Sequence, residues 1–231
     1  MRARQEGGKL IRERNAVLFS FPGYELLVDT PPGIHRLLSK NNVQHLNGIF
    51  LTHEHFDHTS GIEEFLYWDQ PLDLFATEGT YRRVVRESWG ERLRDVAFHI
   101  QLRVGVPVWF DHYFFVPLLV NHSVPCVGLA IYERGHKVIY TSDGDAFFTH
   151  YARTVMEKAD LLIVNTPFFV TPPGEYHIGV KEAIALKQDV KAKQLILTHI
   201  NHYNRPHDEL EAYVSQFEGV MVAYDGMSVE V

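Results

Sequence analysis

Gly48-Ile49-Phe50-Leu51-Thr52-His53-Glu54-His55-Phe56-Asp57-His58 sets an apolar, strand-like run directly against a loop that carries His53, His55, Asp57 and His58 within six residues. In an extended loop leaving a strand, His53 and His55 project the same way, because strand side chains alternate; Asp57 and His58 follow a turn and can face a second ion. Neutral imidazoles accompanied by a carboxylate suit zinc, manganese or iron better than calcium or magnesium. The spacing reads as a site for two metal ions.

Three later segments repeat the arrangement of strand followed by ligand. Phe114–Val120 ends at Asn121-His122, Lys137–Tyr140 ends at Thr141-Ser142-Asp143, and Gln194–Leu197 ends at Thr198-His199. Open α/β sheets place their chemistry just beyond the carboxyl ends of strands, so His122, Asp143 and His199 fall where a shared site would need them. His35, His45, His99, His112, His136, His150 and His207 show no such spacing and are read as surface or core residues.

A chain of 231 residues that is 45% hydrophobic can bury one substantial core, and a single domain over 1–231 is expected. No apolar stretch approaches the roughly 20 residues needed to cross a bilayer. The start, Met1 to Gly8, lacks the apolar core of a secretory signal, so a cytoplasmic location is expected. The only cysteine, Cys126, excludes internal disulfides and a cysteine-based structural zinc, and its apolar surroundings assign it to packing. The formal net charge of −7 would repel a nucleic-acid backbone, which disfavours extended RNA or DNA as substrate. Arg82, Arg83, Arg86, Arg92 and Arg94 alternate with Glu87, Glu91 and Asp95 and read as mixed-charge surface.

Ala16–Phe21, a Pro22-Gly23 turn and Tyr24–Asp29 predict a β-hairpin. Helices are expected near Ile34–Ser39, Ile62–Tyr67 and Glu78–Ser88, with a strand at Leu72–Thr77 and short β runs from Val96 to Tyr132. The second half alternates: strand Lys137–Tyr140, helix Ala146–Lys158, strand Asp160–Val164, helix Gly179–Asp189, strand Gln194–Leu197 and helix His207–Phe217. Strands are then expected at Val220–Ala223 and Val229–Val231. Antiparallel β followed by alternating β and α fits an α/β fold of two mixed sheets with helices outside.

The ordered set Asp29, His53-x-His55-x-Asp57-His58, His122, Asp143 and His199 resembles the five-motif pattern of the metallo-β-lactamase superfamily over nearly the whole chain. The resemblance implies an αββα sandwich of two mixed sheets flanked by helices, with two divalent ions, zinc or manganese and with iron as a further candidate. It would place His53, His55 and His122 on one ion, Asp57, His58 and His199 on the other, and Asp143 between them. Asp29 would stand behind the ligands and steady their loop, although it serves equally as a cap for the Pro31-Pro32-Gly33 turn. By the same resemblance, Asp143, where antibiotic-hydrolysing members that bind two zincs commonly have cysteine, favours the phosphodiesterase and thioesterase branches, and His55, where dioxygen-reducing diiron members have glutamate, favours hydrolysis over redox chemistry. Glu175-Tyr176-His177-Ile178-Gly179, Leu197-Thr198-His199-Ile200-Asn201-His202 and Ala223-Tyr224-Asp225-Gly226-Met227 look like the branch that opens phosphoribosyl 1,2-cyclic phosphate in phosphonate degradation. The chain resembles the tRNA 3′-processing endonucleases more distantly, through their equivalent of His177.

The expected reaction is hydrolysis of a small, cyclic or linear, anionic phosphodiester by a hydroxide shared between two ions about 3.5 to 4 Å apart. His177 and Asp57 are the candidate catalytic residues. As the resemblance suggests, His177 would protonate the departing alkoxide, and its competing reading is a helix-capping surface residue. His202 is open between a place behind the ligands, a phosphate contact and plain exposure. Two rivals use the same ligands: a thioesterase or lactonase of the glyoxalase II kind, and a carrier resembling the protein that hands on pyrroloquinoline quinone. Partners narrow to the small substrate, with no membrane and a homodimer left open.

Overall fold

The computed structural model describes residues 12–110 and 112–231. They form two compact units, Arg14–Arg103 and Val104–Val231, the second including Arg12 and Glu13. Each unit is built on one sheet.

The first unit contains β1 (Val17–Phe21), β2 (Tyr24–Val28), β3 (Gly48–Phe50), β4 (Leu72–Thr77) and β5 (Ala97–Leu102), side by side in chain order. The expected hairpin of β1 and β2 closes at Gly23, whose φ of 81° suits a tight turn that side-chain-bearing residues adopt at a cost. From β2 to β5 the strands are parallel, so the carboxyl ends of β2 and β3 share one edge. Helices α1 (Ile34–Lys40), α2 (Phe56–Thr59), α3 (Glu78–Val84) and α4 (Gly90–Val96) accompany the sheet. Ile34, Leu38, Val84 and Leu93 from the helices pack with Leu27, Ile49 and Leu74 from the strands, each burial worth about 1.5 to 3 kcal/mol.

Two expectations shift here. The helix expected over Ile62–Tyr67 is a tighter 3-10 segment, Ser60–Phe65. The helix expected over Glu78–Ser88 stops at Val84 and a new one starts at Gly90. A Cβ at residue 90 would lie 2.1 Å from the Val85 carbonyl oxygen, so the chain doubles back where only glycine fits.

The second unit contains β6 (Val108–Phe110), β7 (Tyr113–Val120), β8 (Cys126–Glu133), β9 (His136–Tyr140), β10 (Leu161–Asn165), β11 (Gln194–Thr198) and β12 (Val220–Val222). Their spatial order is β12-β11-β10-β9-β8-β7-β6, parallel from β12 to β9 and antiparallel from β9 to β6. Because β7 and β9 flank the opposed β8, they run in the same direction as β10 and β11. The carboxyl ends of β7, β9, β10 and β11 therefore share one edge, as a common site requires. Helices α5 (His150–Met156), α6 (Val180–Asp189) and α7 (His207–Val214) pack Ala152, Met156, Ala183, Ile184, Leu210 and Val214 against the sheet. Cys126 is buried in the same core.

The helix expected over Ala146–Lys158 begins only at His150, because Asp145 accepts a hydrogen bond from the Phe147 amide and holds a turn there, while Thr149 caps the Ala152 amide. The helix expected to reach Phe217 ends at Val214. Among the described residues the strand expected at Val229–Val231 does not form: β12 pairs with β11 alone, and the last residues join no ladder. Arg12 is buried and donates to the Ala223 carbonyl and the His207 ring, fastening the entering chain beside β12. Burial pulls its guanidinium below the usual range, an effect opposed by Asp225 and Glu211. Among the described residues no helix is long and apolar enough to cross a membrane.

Candidate metal centre

In the first unit the histidine-rich loop is bolted to the ends of β2 and β3. Thr30 N donates to the His58 carbonyl at 2.7 Å and Gly61 N to the Thr30 carbonyl at 2.8 Å. A Cβ on residue 61 would meet the Pro31 oxygen at 2.1 Å, so glycine is what lets the loop lie flat against this backbone. The turn of α2 then carries Asp57 and His58, with the His58 amide donating to the His55 carbonyl at 3.0 Å.

Asp29, fully buried, organises the imidazoles. Its Oδ2 stands 2.7 Å from His58 Nδ1, and it accepts from the Thr52 hydroxyl at 2.9 to 3.0 Å and from the Thr52 amide at 2.9 Å. A carboxylate can only accept, so His58 carries its proton on Nδ1 and presents the lone pair of Nε2. The Thr52 hydroxyl spends its single proton on Asp29 and must accept from His53 Nδ1, 2.9 Å away. His53 likewise presents the lone pair of Nε2, which is the tautomer a metal ligand needs.

His53 Nε2 meets His55 Nδ1 at 3.0 Å, and the His53 and His58 rings lie 4.3 Å apart. Two nitrogens held by one tetrahedral zinc stand roughly 3.3 Å apart. The donor set thus fits an ion of that kind. The Asp57 carboxylate, 45% exposed, approaches His58 Nε2 at 4.0 Å.

In the second unit His122, Asp143, His177 and His199 gather at the shared strand edge. One ligand atom from each of His122, Asp143 and His177 lies within 4.8 Å of the other two. Asp143 Oδ1 is 3.7 Å from His199 Nε2, and Oδ2 is 4.0 Å from His177 Nδ1. His122 Nδ1 donates to the Tyr176 carbonyl at 3.2 Å, which again leaves Nε2 as the lone-pair atom. Asn165 donates to Asp143 Oδ1 at 2.6 Å.

Backbone conformation marks the same places. Asp29 (φ 63°), Ser142 (φ 57°) and His199 (φ 56°) sit in the left-handed region, uncommon for residues with side chains, and all lie just past strand ends. Such costs gather where a side chain must be aimed.

The sequence-predicted residues are thus clustered within each unit: Asp29, His53, His55 and His58 in the first, His122, Asp143, His177 and His199 in the second. His202 is exposed, with its ring 3.9 Å from that of Tyr203. His99 stacks on Tyr81, and His207 joins the Arg12 network, so neither competes as a ligand. Arg82 and Arg83 pair with Glu78 and Glu87, as a mixed-charge surface should. Thr52 and Asn165 were not singled out from sequence, because each acts through the partner that folding supplies.

Residues 24–200 match the family described as "Beta-lactamase superfamily domain". Ribonuclease Z of Archaeoglobus fulgidus is 26% identical, the match covering 95% of this chain and 93% of that protein. A solved diphosphatase from the PhnP family superposes with a TM-score of 0.82 at 20% identity, over 94% of this chain and 84% of the other. Zinc-bound PqqB from Methylobacterium extorquens superposes with a TM-score of 0.83 at 21% identity, over 96% and 88%.

Proposed function

Because the chain belongs to the beta-lactamase superfamily and has its metallo-β-lactamase fold, we propose that it is a phosphodiesterase acting on a small anionic diester at a centre of two divalent ions. It is a metal-dependent hydrolase of that superfamily. The proposed division of ligands is His53, His55 and His122 for one ion, Asp57, His58 and His199 for the other, and Asp143 shared. Bound there, zinc or manganese would lower the pKa of water to about 7 and offset charge growing on the phosphoryl oxygens.

The observation that carries the reading is His177, held with its Nδ1 4.0 Å from Asp143 Oδ2 and its ring 5.0 Å from that of His122. Carbonyl substrates that release a thiolate need little help from an acid. A phosphodiester that releases an alkoxide needs a proton at the departing oxygen, and an imidazole beside the shared carboxylate is placed to give one. Asp57, more exposed than His53, His58, Asp143 and His199, is the carboxylate that would orient the attacking water. The negative charge of the chain supports a small substrate over an extended nucleic acid.

The test is turnover of bis-p-nitrophenyl phosphate by the zinc- or manganese-loaded protein, with a glutathione thioester in parallel. Diester cleavage that a chelator abolishes and metal restores is the expected result. Thioester cleavage alone would move the protein to the glyoxalase II kind, and neither activity would favour a carrier.

A further inference from the structure

We infer that Phe168 and Tyr203, two aromatic rings beside His177, form a stacking platform for a nucleobase on the leaving side of the diester, which makes the substrate nucleotidyl. The inference rests on the hydrolase reading for which end of the substrate meets His177.

The rings belong to two loops that leave adjacent parallel strands, β10 and β11. Phe168 is fixed at its backbone by a bridge to Gly179, its carbonyl accepting from the Val180 amide at 2.9 Å. Its ring centroid lies 6.3 Å from that of His177. Tyr203 sits 5.9 Å from Phe168 at an interplanar angle of 33°, with His202 at 3.9 Å from Tyr203. The loop that bears it is tied down: the Tyr203 amide donates to Asn201 Oδ1 at 2.8 Å, and Asn204 Nδ2 donates to the Thr166 carbonyl at 2.7 Å.

Tyr203 is nevertheless 64% exposed. Core packing does not explain a ring that is positioned this firmly and left this open to water, whereas a stacking surface must be both. Every nucleobase offers a π-face, and aromatic platforms recognise them without a demanding hydrogen-bond pattern. The residue after Phe168 is turned to other partners: the Arg205 guanidinium lies 3.7 Å and Lys181 Nζ 5.4 Å from the centre of the Phe169 ring, which also meets Tyr213 edge-on. A proton donor next to a stacking surface meets the two ends of a departing nucleoside, its alkoxide and its base.

The experiment compares AMP with ribose 5-phosphate, which share a phosphate and a ribose and differ by the base, binding to the zinc-loaded full chain by titration calorimetry. AMP should bind about 10-fold more tightly, the size of one base–aromatic contact. Tyr203→Ala should bring the ratio of the two affinities close to one, and Tyr203→Phe should keep it. Adenine proton resonances should move upfield on binding. Equal affinities in the unmodified protein, no measurable binding of either ligand, or a ratio unaffected by Tyr203→Ala would overturn the platform. Because no turnover is measured, a protein that prefers AMP yet leaves bis-p-nitrophenyl phosphate intact would refute the hydrolytic reading alone.

Discussion

Asn165 donates through Nδ2 to Oδ1 of Asp143 at 2.6 Å and to the Tyr140 hydroxyl at 3.2 Å, with both Asn165 and Asp143 buried. The amide fixes the carboxylate rotamer at the point proposed to join two ions. Asn165→Ala should weaken metal affinity about 10- to 100-fold while the fold persists. Competition against a chelator of known affinity measures this, and an unchanged affinity would remove Asn165 from the support of the site.

Asp29 tolerates its left-handed backbone, and asparagine tolerates it as well, so Asp29→Asn isolates charge from conformation. Loss of the carboxylate leaves the His58 and Thr52 donors with a weaker acceptor. Metal affinity should fall about 10- to 100-fold, and Asp29→Ala, which leaves those donors with no acceptor, should fall further and melt earlier. Wild-type affinity in Asp29→Asn would show that the carboxylate does not set the two imidazoles.

Asp143→Ala removes the proposed shared ligand. Elemental analysis should show about two ions per chain before the change and one or fewer after it. A full complement in the variant would contradict the sharing.

His177→Ala should lower turnover by roughly 10² to 10⁴ for diesters with alkyl leaving groups and leave metal content intact. The loss should be smaller for p-nitrophenyl diesters, whose phenolate departs without a proton. An equal loss for both kinds of leaving group would point to a role in binding the ion or the substrate instead.

Away from the site, Asp160 accepts from Lys193 Nζ at 2.6 Å and from the Lys137 amide at 2.8 Å, and these bonds hold its carboxyl below the ordinary range. A carboxylate with a depressed folded pKa stabilises the protein above its unfolded pKa, and that contribution fades as pH falls through the folded value. With Lys193 largely exposed, Asp160→Asn should cost about 1 kcal/mol at pH near 7, or about 2 to 4 °C in Tm. The gap should close below pH of about 4. Melting curves that differ by the same amount at both pH values would show that burial rather than charge governs the position.

The clustering of candidate donors was legible because the chain spells an apolar strand and then a donor, at His53, His122, Asp143 and His199, and the strand order within each sheet brings such endings to one edge. Asn165 was not legible: it follows Leu161–Val164 as one more strand residue, and only the pairing of β9 with β10 puts it against Asp143. The same holds for Phe168 and Tyr203, which the pairing of β10 with β11 brings together from separate loops. Helix limits depended on local competition, at Asp145 and Thr149 for α5 and at Gly90 before α4, which period alone does not register.

The bridge between Phe168 and Gly179 carries a further implication. It clamps the stem of the segment that presents His177, while Pro172-Pro173-Gly174-Glu175 forms a turn at the far end with its last three residues exposed. Insertions at that tip would alter the surface near His177 without disturbing the bridge at the stem of its segment. Evolution could retarget such an enzyme by editing a few solvent-facing residues, with its chemistry left in place.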